Sequence, residues 1–158
     1  MKALEFAINM ELDGEKYYSK QAAIQHGNGL RTVFLKLAKD EKNHARILTS
    51  KSKGLAYELD ESALSPVKSV FSGMADYKSK VKEVPDQVDL YDVALDMEKK
   101  SIELYTKLLS EATDDRELFA YLIKQEQGHL AIVEEIIKLV NRPNEWVEAA
   151  EFGEREEY

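Results

Sequence analysis

Two segments of this chain interrupt an apolar helical stripe with the same polar residues, and that repetition restricts the fold more than any other feature. At helical spacing Leu4, Ile8, Tyr18 and Ala22 form one stripe that also contains Glu11 and Glu15. Leu30, Phe34, Leu37 and Leu48 form a second, interrupted by Glu41 and His44. Further along, Tyr91, Leu95, Ile102, Tyr105 and Leu109 run through Glu98, and Phe119, Leu122, Val133 and Val140 run through Glu126 and His129. Shifted by 87 positions, Leu4, Ile8, Glu11, Tyr18 and Ala22 fall on Tyr91, Leu95, Glu98, Tyr105 and Leu109. Shifted by 85, Arg31, Phe34, Leu37, Glu41, His44 and Leu48 fall on Arg116, Phe119, Leu122, Glu126, His129 and Val133. The two-residue difference is a shorter turn in the second half.

Each stripe predicts one helix, over about 2–26, 30–53, 87–112 and 115–141. Gly27-Asn28-Gly29 closes the first helix with residues that tolerate left-handed backbone, and Gly54 stops the second. Asp114 with Glu117 resembles a capping pair for the fourth, which Asn141-Arg142-Pro143 is expected to end. The connection from about 55 to 86 holds its own short helix, starting at Ser65-Pro66 and carrying Val67, Val70, Phe71 and Met74. A helix of twenty-five residues is about 37 Å long, so such a connection is long enough to return along the bundle. The expected fold is all-α: a four-helix bundle of two antiparallel hairpins joined by a long crossover. A length of 158 residues suits one domain, and 33% charged residues with only seven Gly and three Pro suit long amphipathic helices. The expected division is a bundle over 1–141 and a C-terminal tail over 142–158, whose Trp146 and Phe152 pack back on the bundle.

The formal net charge of -8 argues against nucleic acid, whose phosphates require clustered Lys and Arg. No stretch is long and apolar enough for a membrane span. Glu5, Glu11, Asp13 and Glu15 occupy the place where a signal peptide needs an apolar run, so a cytoplasmic location is expected. Without cysteine, disulfides, iron–sulfur clusters and thiolate zinc sites are excluded, and any metal must rest on oxygen and imidazole.

A carboxylate on a core stripe loses several kcal/mol of hydration unless paired or protonated, and four of them facing one another would also repel. No Lys or Arg on these stripes compensates. Two divalent cations would, since four carboxylates and two neutral imidazoles carry about minus four against plus four. The i,i+3 spacing of Glu41-x-x-His44 and Glu126-x-x-His129 turns both members of each pair to one face, so each pair can reach one metal while Glu11 and Glu98 complete or bridge the centre. One such pair in a Glu-rich helix would be read as a solvated face; two at matched repeat positions, with matched glutamates, point to a dinuclear site. Glu15 pairs with Ile102 in the repeat and is either an additional carboxylate near the site or an edge residue. Tyr18 and Tyr105 either donate hydrogen bonds to metal-bound carboxylates or serve as core aromatics. His26 reads as a favourable charge at a helix end, and Trp146 as packing.

These motifs resemble the rubrerythrin and ferritin-like di-iron carboxylate proteins: Ala7-x-x-x-Glu11 with Tyr18, Glu41-x-x-His44, Ala94-x-x-x-Glu98 with Tyr105, and Glu126-x-x-His129, in that order over residues 1 to about 141. The resemblance implies a ferritin-like bundle, two iron ions held by Glu11, Glu41, His44, Glu98, Glu126 and His129, and reduction of hydrogen peroxide or dioxygen. Manganese or zinc would also accept these ligands. The chain looks like a stand-alone domain lacking the cysteine-ligated rubredoxin iron that serves rubrerythrins as electron donor, so an external donor is required. Where rubrerythrins tend to carry a further glutamate three residues after the third-helix ligand, this chain has Ser101.

The expected function is a di-iron oxidoreductase of the peroxidase, oxidase or ferroxidase type. The alternative is non-catalytic iron binding, storage or sensing, and a third reading is a structural bundle with an empty site. An apolar face around Val70 and Phe71 would favour a homodimer or a domain-swapped pair.

Overall fold

Long amphipathic segments separated by residues that break helices give four helices, and the computed structural model describes them over residues 2–25, 29–60 and 88–152, with side chains in the last stretch from 91 to 139. They are α1 (Lys2–Ile24), α2 (Leu30–Ser52), α3 (Val88–Glu111) and α4 (Arg116–Phe152). No strand occurs among the described residues. The fold is an all-α, ferritin-like four-helix bundle. α1 packs along α2 and α3 along α4, and with turns this short each pair is an antiparallel hairpin. The crossover, its short helix with Val70 and Phe71, and His26 lie outside the described residues. No helix among the described residues is long and apolar enough to cross a membrane.

The turns are built as their residues require. Gly29 enters α2 at φ 81°, and Gly54 leaves it at φ 71°, a left-handed region that favours glycine. Beyond α2 the Gly54 N–H donates to Lys51 O at 3.0 Å and the Leu55 N–H to Ser50 O at 2.8 Å, the paired bonds of a Schellman ending. The repeated arginines act as clasps. Arg31 donates to Ala22 O at 3.2 Å and Arg116 to Leu109 O at 2.8 Å, so each second helix satisfies a last-turn carbonyl of the first. α4 starts one residue later than the expected cap, which places Asp115, at φ 59°, rather than Asp114 at its threshold. The Asp115 carboxylate is engaged elsewhere: it pairs with Lys51 and accepts from Tyr57 Oη at 2.9 Å, tying the second hairpin to the first.

One expectation is corrected. α4 does not end at Asn141-Arg142-Pro143 but runs through Pro143 to Phe152, so the boundary drawn at 141 falls inside a helix. Pro143 has no N–H to offer Leu139 O, a loss that in a helix interior costs about 3 kcal/mol or more. The segment beyond it, Glu145 to Glu151 with Ala149 and Ala150, consists mostly of good helix formers. The proline therefore lies inside the helix rather than at its stop.

Two apolar clusters fill the bundle. One holds Phe34, Leu37, Tyr91, Ile132 and Ile136 with Tyr18; the other holds Leu4, Ile47, Leu48, Leu118 and Leu122 with Tyr105. Between these clusters the stripes are polar, and there the chemistry lies.

Candidate metal centre

Glu11 from α1, Glu41 and His44 from α2, Glu98 from α3, and Glu126 and His129 from α4 are all buried, none more than 3% exposed. The structure brings them together in two groups that share members. Glu11, Glu41, His44 and Glu126 offer ligand atoms all within 4.8 Å of one another, and so do Glu41, Glu98, Glu126 and His129. Both imidazoles turn Nδ1 inward: His44 Nδ1 lies 3.3 Å from Glu11 Oε1 and 3.7 Å from Glu41 Oε1, and His129 Nδ1 lies 3.0 Å from Glu41 Oε1 and 3.2 Å from Glu126 Oε1. Glu15 is half-buried and belongs to neither group. The two tyrosines cross between hairpins, with Tyr18 Oη donating to Glu98 Oε2 and Tyr105 Oη to Glu11 Oε2, each at 2.5 Å.

Charge in this layer is tightly coupled. Burial on its own would raise Glu11, but the His44 charge and the hydrogen bonds from His44 and Tyr105 outweigh it and hold the carboxyl below its usual range. Glu41 and Glu126 go the other way. Burial and then the charges of the neighbouring glutamates push both well above the usual carboxylate range. Burial opposes charge on the histidines too, yet Glu11 and Glu126 lift His44 to about 9, and Glu98, Asp40, Glu126 and Glu41 lift His129 well above its ordinary value. Without a cation, protons neutralise the cluster.

A family model described as Rubrerythrin matches residues 2–137. The chain belongs to the rubrerythrin family. No curated protein and no solved structure matches it. The rubrerythrin family is one of di-iron carboxylate proteins, and the residues present fit such a group. Glu41 Oε1, Glu98 Oε1, both Glu126 oxygens and His129 Nδ1 are buried without an aligned hydrogen-bond partner. Orphaned groups of this kind cost about 1–3 kcal/mol each, more when charged, and two divalent ions among them would satisfy all five. The donors are oxygen and imidazole, which suit iron or manganese.

Three residues of this rubrerythrin-family site are not apparent from sequence. His44 Nε2 lies 2.9 Å from Gln125 Oε1, and His129 Nε2 lies 2.9 Å from Asp40 Oδ2. Each anchor comes from the opposite hairpin, stands immediately before the glutamate of its Glu-x-x-His pair, and is related to the other by the 85-residue shift (40 + 85 = 125). The position before each motif is the signal that could have found them. An outer partner of this kind fixes ring orientation and leaves Nδ1 free to ligate. Asp40→Asn is expected to weaken affinity for divalent metal by about tenfold or more, measured by competition against a chromophoric chelator.

The third is Gly14, one turn beyond Glu11. A Cβ there would lie 3.2 Å from Glu41 Cδ and closer still to its Oε2, so any larger residue requires that carboxylate to shift. Gly14→Ala is expected to cost about 1–3 kcal/mol through overpacking and to displace Glu41. A thermal melt lowered by about 2–4 °C per kcal/mol, together with weakened metal binding, would show it.

Proposed function

We propose that this rubrerythrin-family chain is a di-iron oxidoreductase that reduces hydrogen peroxide, or reacts with dioxygen, using electrons from an external donor. The observation carrying this reading is the double cluster itself: two overlapping groups of buried oxygen and imidazole donors whose orphaned atoms face one another. Glu11 and His44 would hold one ion, Glu98 and His129 the other, and Glu41 and Glu126, common to both groups, would bridge them. Bound ferrous iron would supply the two electrons that take hydrogen peroxide and two protons to two waters.

The chain's own residues set the conditions for that reaction. Tyr18 and Tyr105 hold the Glu98 and Glu11 carboxylates in place from the opposite hairpin. Burial and the facing glutamates push both phenols well above their usual range, so at neutral pH they remain hydrogen-bond donors. Asp40 and Gln125 fix the imidazoles, and apolar clusters flank the site at either end of the bundle.

Protein loaded anaerobically with ferrous iron and mixed rapidly with hydrogen peroxide is expected to gain near-ultraviolet ferric absorption, consuming one peroxide per two ferrous ions. An unchanged spectrum with two irons bound would sink the proposal. Non-catalytic iron storage or sensing is favoured by the net charge of -8. Storage requires a large shell, which light scattering on the purified protein distinguishes from a monomer or dimer.

A further inference from the structure

Between α1 and α3 lies a cavity of about 760 Å³ that reaches from the surface to Glu41 and Glu98. The two helices touch only lightly, and the repeat explains the gap. Gly14 and Ser101 occupy equivalent positions (14 + 87 = 101), each three residues after the glutamate of its helix, and both are small. The walls are largely apolar, with Phe6, Met10, Met97 and Leu104 among them. The inner end is not. Glu98, 1% exposed, is among the residues at its floor, and the Ser101 hydroxyl donates to Met97 O at 3.0 Å, which leaves its lone pairs able to accept.

Size and polarity together select an occupant. A water takes about 30 Å³ of the liquid, so hydrogen peroxide, with two oxygens, would fill only a small part of this space. Organic ligands occupy pockets of about 300–1,000 Å³ with apolar walls and a few placed polar groups. We propose that this cavity binds an organic hydroperoxide, apolar tail along Phe6, Met97 and Leu104 and hydroperoxyl end toward Ser101 and Glu98. The inference rests on the peroxide-reducing function proposed above and names a substrate class for it. The reaction balances as ROOH with two electrons and two protons giving ROH and water: the O–O bond breaks, the hydroperoxide is reduced, and an external one-electron reductant gives up two equivalents.

Cumene hydroperoxide and its unreactive alcohol, 2-phenyl-2-propanol, are suitable probes. The alcohol is expected to bind both metal-free and zinc-loaded protein, with NMR shifts confined to Met10, Met97, Leu104 and their neighbours. In the iron-loaded protein, Leu104→Trp, which fills the cavity from a partly buried wall position, is expected to lower kcat/KM for cumene hydroperoxide by about tenfold or more while changing that for hydrogen peroxide by less than about twofold. Phe6→Trp, which narrows the cavity from its exposed rim, is a second filling variant with the same expected pattern, and retained helicity would show that either is folded. A parallel fall for both peroxides in folded variants, or alcohol shifts scattered elsewhere, would overturn the assignment. Alcohol binding at these residues in a protein that consumes neither peroxide would keep the pocket and overturn the oxidoreductase reading instead.

Discussion

Divalent metal is expected to raise the thermal unfolding midpoint of the metal-free protein by roughly 10–20 °C, and by more at pH 8–9 than at pH 6. An ion at a hundred times its dissociation constant contributes about 2.7 kcal/mol; two sites give about 5 kcal/mol, and a domain of this length shifts by about 2–4 °C per kcal/mol. The pH dependence comes from the shifted groups. His44, raised to about 9, favours the metal-free fold fully below its unfolded value of 6.5, and that contribution disappears as pH climbs toward 9. His129 behaves alike. Glu41 and Glu126, raised above 4.5, keep protons in the fold that the unfolded chain gives up, so they too weaken the metal-free protein as pH rises. Glu11 runs oppositely, but only in acid, around and below its ordinary value of 4.5. Alkali therefore loosens the empty cluster while removing the protons that compete with metal. Calorimetric melts with and without zinc at three pH values test this, and coincident melts throughout would contradict it.

Truncating a shared donor is expected to do more damage than truncating an unshared one. Glu126 belongs to both four-residue groups, His44 to one. Glu126→Ala should therefore lower affinity at both positions by about a hundredfold or more, the upper end expected when even an outer partner is lost. His44→Ala should leave one ion bound near Glu98 and His129. Elemental analysis after dialysis would read about zero against about one ion per chain. Without metal the order reverses, because Glu126→Gln relieves a crowded carboxylate and should make the metal-free protein more stable than the parent in alkali. Equal loss of metal in the two truncations would refute the shared role of Glu126.

Much of this architecture was legible because a polar residue on an apolar stripe is costly, and cost at matched positions is informative. The helix limits fell within two residues of expectation for α1 to α3, with glycines marking the junction of α1 and α2 and the end of α2. Glu11, Glu41, His44, Glu98, Glu126 and His129 lie together in the bundle, on the faces that periodicity assigned to the core. What stayed hidden depends on partners across the interior. Asp40 reads locally as half of an exposed pair with Lys36, four residues earlier, and only the arrival of α4 gives its carboxylate an imidazole. Gly14 reads as a flaw in a helix until Glu41 is seen to need the space. Pro143 reads as a stop, but the good helix formers beyond it carry α4 on to Phe152.

The duplicated half-sites match in their donors but not in what stands behind the imidazoles: a carboxylate at Asp40, a neutral amide at Gln125. A ring backed by a carboxylate is the more basic ligand, so the His129 end should fill first and empty last. Two different metals offered together would then divide between the ends instead of distributing at random, and a mixed-metal form becomes reachable simply by ordering the additions.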